Sequence, residues 1–471
     1  MRRYFVRKGL CLALAAAFLA LSGCGEDTGQ DRENPSGDNR ESGYDRSVNT
    51  LAKDAGGNDA DGLPGKGTDV PAAITDFGVR LLQQTMAAAE TGLPSHASMP
   101  ESVNRRIERG ENILVSPLSV LTALAMVGGG ARGETLTQME EVFGISRPEL
   151  SEYLSVYGRA LPAGEKYRLS MADSVWFTED KRFTVQQDFL DTSKELFGAE
   201  IYRTPFDAST VREINGWVKE NTEGMIGEFL DQIPPDTVMC LVNALAFDAE
   251  WQEGYSEAQI REGMFITQDE TAQKAEMMYS SESRYLEDEG ATGFLKYYAD
   301  EKYAFAALLP REGTKVTEYL ASLTGEKLRR ILDNPIEEEV DICIPKYESE
   351  YAVELKEILQ SMGMADAFSA SEADFTGIGS SENGNMYISR VLHKTCIAVD
   401  ERGTKAGAAA AVVMEDGAAP IEEPDTKEVY LDRPFVYLII DCETGLPIFL
   451  GVVMEIEGND SAAVVFEVSK S

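Results

Sequence analysis

Histidine is the scarcest chemically active residue in this chain: its 471 positions hold two, His96 and His393. A Ser–His–Asp hydrolase needs a histidine within reach of an exposed serine. His96 stands in a stretch that reads as a polar loop, His393 just ahead of an apolar strand, and no G-x-S-x-G elbow is present. Cysteine is sparse too, with six residues and no C-x-x-C pair. Cys240, Cys343, Cys396 and Cys442 lie scattered among apolar residues and read as buried thiols, so neither a metal site nor a disulfide framework is expected. Positive charge is in deficit: 43 Lys and Arg face 81 Asp and Glu, a net charge of −38. Such a surface repels phosphate backbones, which argues against a nucleic-acid partner. The acids form no pattern that singles out a glycosidase pair, so a solvated acidic face is the default. Gly128-Gly129-Gly130-Ala131-Arg132-Gly133 satisfies G-x-G-x-x-G, but the residues before it have helical spacing. A dinucleotide site needs a strand there, so this run reads as a helix–turn–helix connection. No cofactor is expected.

What is present begins at the N-terminus. Arg2, Arg3, Arg7 and Lys8 precede an apolar run from Leu10 to Leu21. That run is too short to span a bilayer comfortably and too apolar for an exposed start. It ends in Leu21-Ser22-Gly23-Cys24, which resembles the bacterial lipobox. The resemblance implies removal of residues 1–23 as a signal peptide, lipid on Cys24, and a place on the outer face of a bacterial cell membrane. An ordinary signal peptide followed by a chance cysteine is the competing reading. Residues 24–70 are polar and nearly free of apolar side chains. They read as a disordered acidic tether, about 46 residues of coil spanning roughly 35–40 Å.

Order is expected from about Pro71, with Phe77, Leu81 and Leu82 at helical spacing, then a polar loop over 85–110. Ser119 to Met126, Leu136 to Val142, Val211 to Glu220 and Ala352 to Met362 read as helices. Val238 to Phe247, Val340 to Ile344, Thr395 to Val399, Phe435 to Ile440 and Ile448 to Glu455 read as strands. No internal repeat or second linker interrupts 71–456, and a single α+β domain fits best, followed by a tail over 457–471.

Five segments carry a resemblance to serpins, the serine-protease inhibitor family. Asn112 to Val120 (N-I-L-V-S-P-L-S-V) resembles the family's N-I-x-x-S-P-x-S-I. Val242 to Phe247 with Trp251 resembles N-A-x-x-F-x-x-x-W, and Val340 to Lys346 its x-L-x-x-P-K strand. Asp432-Arg433-Pro434-Phe435 and Gly451 resemble the C-terminal signature, and Val399 to Ala411 the hinge of inhibitory members. The resemblance implies a large central β-sheet, further sheets, surrounding helices and an exposed reactive loop at about 401–430. It also implies a monomeric inhibitor, not an enzyme, whose partner is a serine protease trapped as a covalent acyl complex. Ser116, Ser119, Asn243 and His393 would form a polar cluster under the sheet where strands part, and Trp251 would lie at the top, where insertion begins.

In that mechanism the cleaved loop enters the sheet as a new central strand, so its inward face must be small or apolar at period two. The hinge residues Glu401 and Gly403 lead into an inward set of Thr404, Ala406, Ala408, Ala410, Val412 and Met414, which carries no charge. The alternate set holds both Lys405 and Glu415. Insertion would add on the order of ten ladder hydrogen bonds at roughly 0.5–1.5 kcal/mol each. That gain is comparable with the whole stability of a typical domain. The usual spacing from Glu401 places the reactive bond at Gly417–Ala418, with Ala418–Ala419 as the alternative. Small residues there suit elastase-like or subtilisin-like proteases, and Lys and Arg are absent from 406–426. The rival readings are a non-inhibitory serpin and a solute-binding surface lipoprotein.

Overall fold

Thr237–Ala249 is buried at all 13 positions, and its side chains alternate from Met239 to Phe247. Met239, Leu241, Leu245 and Phe247 enter one core, while Cys240, Val242, Ala244 and Ala246 enter another. A strand apolar on both faces needs cover on both, and that requirement organises the chain. The computed structural model describes residues 13–23, 69–91, 112–161, 164–224, 226, 229–403 and 426–456.

Among these residues the strands run β1 (Ala13–Gly23), β2 (Ile113–Val115), β3 (Tyr167–Thr178), β4 (Phe183–Val185), β5 (Glu200–Thr204), β6 (Thr237–Ala249), β7 (Ile260–Ile266), β8 (Ala272–Glu282) and β9 (Tyr285–Glu287). They continue with β10 (Ala291–Tyr297), β11 (Tyr303–Pro310), β12 (Val340–Pro345), β13 (Tyr347–Glu354), β14 (Gly379–Ser381), β15 (Met386–Val399), β16 (Lys427–Tyr430), β17 (Phe435–Asp441) and β18 (Leu446–Val453). The helices are α1 (Val70–Thr91), α2 (Pro117–Gly128), α3 (Gly133–Phe143), α4 (Arg147–Arg159), α5 (Gln187–Phe197), α6 (Ala208–Asn221), α7 (Val316–Ser322), α8 (Gly325–Asp333) and α9 (Lys356–Ser361).

The central sheet has the order β13-β15-β1-β6-β3-β5. Two further sheets follow the orders β2-β18-β17-β11-β10-β9 and β16-β12-β8-β7, and β14 pairs with β4. The fold is therefore α+β with several sheets. Helix α2 lies behind the central sheet. Ser116 caps it by accepting a hydrogen bond from the Ser119 N–H, Pro117 opens its first turn, and every residue from Pro117 to Gly128 is buried. Helix α6 covers the opposite face. Asp207 caps it, and Ile214, Trp217 and Val218 close the second core.

The apolar run that the sequence marks as a targeting segment supplies β1, which pairs antiparallel with both β15 and β6. Ala17, Leu19 and Leu21 are buried in the main core and Ala20 in the second. A run too apolar for an exposed start occupies an apolar slot.

Several expectations need correction. Helix α1 continues to Thr91, so 85–91 is not loop. Ala352 to Glu354 belong to β13, and the helix after them is confined to Lys356–Ser361. The strand expected at Thr395 begins at Met386, so His393 lies inside β15 and not ahead of it. The error at β13 comes from apolar residues on consecutive positions, where periodicity does not separate strand from helix; the error at β15 comes from Ser389, Arg390, His393 and Lys394, which interrupt the apolar pattern of that strand. Cys240 and Cys343 are buried, Cys396 is half-buried, and Cys442 is exposed because it falls in the turn between β17 and β18. The Gly128–Gly133 run does join two helices, α2 and α3. His96, the tether over 24–68, most of the reactive loop (404–425) and the tail (457–471) lie outside the described residues.

Gly451 shows how tightly the second sheet packs. It pairs with Tyr437, and a Cβ built on it would lie 2.5 Å from the tyrosine ring. That ring is held by Phe305 and Tyr347, each 5.7 Å away between centroids. Gly451→Ala should therefore overpack the core and cost about 1–3 kcal/mol, read as a lowered urea midpoint with an unchanged denaturant slope.

Candidate functional site

The top of the central sheet holds the start of the expected loop. Gly403 makes antiparallel bridges with Glu250 and with Asp400. It has φ +98°, and a Cβ there would fall 2.2 Å from the Trp251 nitrogen, so glycine is required on both counts. Trp251 fastens the same turn: its N–H donates to the Arg402 carbonyl at 3.0 Å and its indole Nε1–H to the Asp400 carbonyl at 2.9 Å. The Tyr255 N–H donates to the Glu401 carbonyl at 2.8 Å. The Glu401 carboxylate pairs with Lys346 Nζ at 2.9 Å. Burial works to raise the Glu401 carboxyl, and the Lys346 ammonium outweighs it, leaving the group below its ordinary value.

Beneath the turn, Trp251 stacks on Tyr298 with centroids 4.4 Å apart. The Lys296 ammonium is buried between rings, 5.5 Å from the Trp251 centroid and 4.6 Å from that of Tyr255, and bonds Glu282 at 2.6 Å. A buried cation with a carboxylate and two ring faces is well compensated.

Midway down the sheet the polar cluster is assembled. The Ser116 N–H donates to His393 Nε2 at 3.0 Å, and Ser119 Oγ donates to Asn243 Oδ1 at 2.5 Å. The Asn243 amide donates to Asp173 Oδ1 at 3.0 Å. Ser116, Ser119, Asn243 and His393 are all fully buried. The elements explain the meeting. Ser116 and Ser119 form the first turn of α2, Asn243 is on β6, Asp173 opposes it on β3, and His393 is on β15. In register, Ala17 of β1 lies between His393 and Asn243.

Residues 100–456 match the family model of the serpins, described as serine protease inhibitor. The chain belongs to the serpin family. The native state of tengpin, a thermophilic serpin, superimposes with a TM-score of 0.72 at 41% identity, covering 82% of this chain and 94% of tengpin. An uncharacterized serpin-like protein of Thermococcus kodakarensis is 31% identical over 350 residues, 73% of this chain and 80% of the relative. Human thyroxine-binding globulin shares the fold at 23% identity with a TM-score of 0.68, over 82% of this chain and 98% of its own. For this serpin, membership makes serine proteases the general kind of partner and places the chain among inhibitors, not catalysts.

Of the site residues read from the sequence, the structure brings together Ser116, Ser119, Asn243 and His393 in one cluster, and Trp251, Glu401 and Gly403 in another. Cys24, Thr404, Ala406, Ala408, Ala410, Gly417, Ala418 and Ala419 lie outside the described residues. Sequence reading missed Asp173, Lys346 as the partner of Glu401, and Lys296. Asp173 did leave a signal, as the lone acid in the strand Tyr167–Thr178. The two lysines left none, since their partners come from distant segments.

Burial raises the Asp173 carboxyl to about 7, and the bond from Asn243 only partly opposes this. The folded serpin thus holds a proton that the unfolded chain releases above the ordinary value of 3.8. That stabilisation is complete below the unfolded value and declines as pH rises through the folded one. Asp173→Asn keeps the acceptor for Asn243 and removes the titration. Urea midpoints of the parent should fall from about pH 4 to pH 7 relative to the variant, by on the order of a few kcal/mol. Parallel pH profiles would show that Asp173 does not titrate in this window.

Proposed function

We propose that this serpin is an irreversible suicide-substrate inhibitor of elastase-like or subtilisin-like serine proteases. It acts as a monomer whose cleaved loop enters the central sheet. The observation that carries this reading is the bridged turn at Gly403. Its two pairings, to Glu250 and Asp400, set a register that a strand continuing from Gly403 would follow. Antiparallel continuation brings position 410 opposite both Asn243 and His393. Ala17 occupies that position in β1, with its side chain in the main core. The set facing that core is then Thr404, Ala406, Ala408, Ala410, Val412 and Met414, the set without charge. A loop that merely linked β15 to β16 has no reason to keep one face free of charge in this register. Reaction with the protease forms an acyl bond to the residue before Ala418 or Ala419 and releases a new amino terminus. Insertion then drags the acylated protease and distorts its site before water can attack.

A non-inhibitory role is the second reading, since thyroxine-binding globulin is named for binding a hormone and shares the fold. An unpartnered charge on the inward set would favour it, and none is present. The deciding experiment mixes the serpin with pancreatic elastase and with subtilisin. The inhibitor reading expects an SDS-stable band of higher mass and a released peptide beginning at Ala418 or Ala419; cleavage without such a band supports the second reading. Thr404→Arg places a charge where insertion begins, and an unpaired buried charge costs several kcal/mol. Its stoichiometry of inhibition should rise well above one, while Lys405→Glu, on the other face, should change little. Equal effects would show that the loop does not insert in this register.

The Leu21-Ser22-Gly23-Cys24 sequence supports a lipid anchor on Cys24 at the outer face of a bacterial membrane. In fractionated cells, Cys24→Ser should shift the protein out of the processed membrane fraction and accumulate unprocessed chain. Unchanged processing and membrane association would remove the anchor.

A further inference from the structure

We propose that residues 13–23 are a built-in occupant of the slot that the reactive loop must enter, so that a chain retaining this segment is held inactive and its removal arms the inhibitor. The proposal rests on the insertion reading above.

Strand β1 lies between β6 and β15 and runs antiparallel to both. Those two strands therefore run in the same direction, and a loop turning back from the end of β15 would also run antiparallel to both. The slot thus accepts one polarity, and β1 has it. The registers coincide as well. In β1, Ala17 faces Asn243 on one side and His393 on the other. Continued from Gly403, both bridges bring Ala410 to the same two residues. The offset is common to both sides of the slot, so each loop position has one counterpart in β1: Ala406 to Ala13, Ala408 to Ala15, Ala409 to Ala16 and Ala410 to Ala17. Four counterparts are identical residues. Further down, Val412 and Met414 correspond to Leu19 and Leu21, which are fully buried in the main core. Val413 corresponds to Ala20, fully buried under α6. At alternate positions both segments are small first and larger after, Ala13, Ala15, Ala17, Leu19 and Leu21 against Ala406, Ala408, Ala410, Val412 and Met414, whereas Leu14 and Phe18 stand against the smaller Gly407 and Ala411.

Two strands cannot hold one set of backbone partners. With β1 in place, the N–H and C=O groups of β6 and β15 that face the slot are already paired. A cleaved loop then gains only the difference between its own fit and that of the strand it must expel. Insertion slows, water reaches the acyl bond, and the protease leaves with the serpin cut. The segment ends at Gly23, immediately before Cys24, so a cut at that bond would separate the occupant from the domain. The same residues cannot lie in a membrane and in the sheet at once. Occupancy therefore belongs to chain whose leader is neither membrane-bound nor removed.

The test uses the full chain carrying Cys24→Ser, so that the leader stays attached. Ala20 is the register partner of Cys240, and both are fully buried. Directly opposed antiparallel residues have Cα separations suited to a disulfide. Ala20→Cys should therefore oxidise to a link with Cys240, found by peptide mapping. With elastase or subtilisin, the leader-bearing chain should be cleaved with little SDS-stable complex, and the oxidised Ala20→Cys chain with none. Leu19→Asp buries a charge in β1 and should raise the fraction of cleaved serpin trapped as complex several-fold. Ala16→Pro, which removes a ladder donor from a central strand, provides the same test should the first variant not fold. A leader-bearing chain that forms complex fully and shows no link from position 20 to Cys240 overturns the occupancy while leaving the inhibitor reading intact. A chain that forms the link, yet traps no protease in any variant, overturns the insertion reading and the gating with it.

Discussion

The structure turns on backbone hydrogen bonding along two strands that do not touch each other. β6 and β15 are buried strands, and a buried peptide group without a partner is among the most costly features a fold can carry. In this molecule both are satisfied by one intervening strand, β1. The surrounding features make that slot selective. α2 lies behind it and α6 in front, so an occupant must be apolar on both faces. Because β6 and β15 run in the same direction, the occupant must run against both. The bulk allowed increases from the level of Ala17 to that of Leu19 and Leu21. These constraints define what any strand must satisfy to fill the slot: one polarity, apolar faces on both sides, and more bulk at the level of Leu19 and Leu21 than at that of Ala17.

Polar groups hold the slot at two levels. At the top, the Trp251 indole and backbone, the Tyr255 amide and the Lys346–Glu401 pair fix the turn at Gly403 against the sheet. The chain therefore leaves β15 with Gly403 aligned opposite Glu250. In the middle, Ser116, Ser119, Asn243, Asp173 and His393 place hydrogen-bonding groups inside a hydrophobic core. They lie on three strands of the sheet and on the first turn of α2. Ala17 of β1 stands between Asn243 and His393, and each of the two keeps a bond of its own to the helix turn. The cluster thus attaches these strands to the scaffold independently of one another.

Much of this was legible in the sequence wherever one segment alone decides. The Ser-Pro-x-Ser start of α2 announces a capped helix, because serine accepts from the third amide and proline fits the first turn. The apolar run of β6, broken between Val238 and Phe247 only by Asn243, announces a strand covered on both faces. In each case the physical cause acts over a few neighbouring residues. One mistaken segment lay where local pattern is degenerate: Tyr351 to Val353 is apolar on consecutive residues, as a helix face or a buried strand can be, and the tertiary position settled it as the end of β13.

What the sequence by itself determined is the family and the α+β character, because these rest on local spacing and on motifs in order. What only the tertiary structure decided is which distant groups meet. Lys346 finds Glu401, Asp173 is pushed toward neutrality beneath Asn243, and an N-terminal apolar run becomes the strand between β6 and β15. The reason is physical. Periodicity states that a segment needs burial and on which faces, but its partner is chosen by a vacancy in hydrogen bonding and volume that exists only after the rest of the chain has folded.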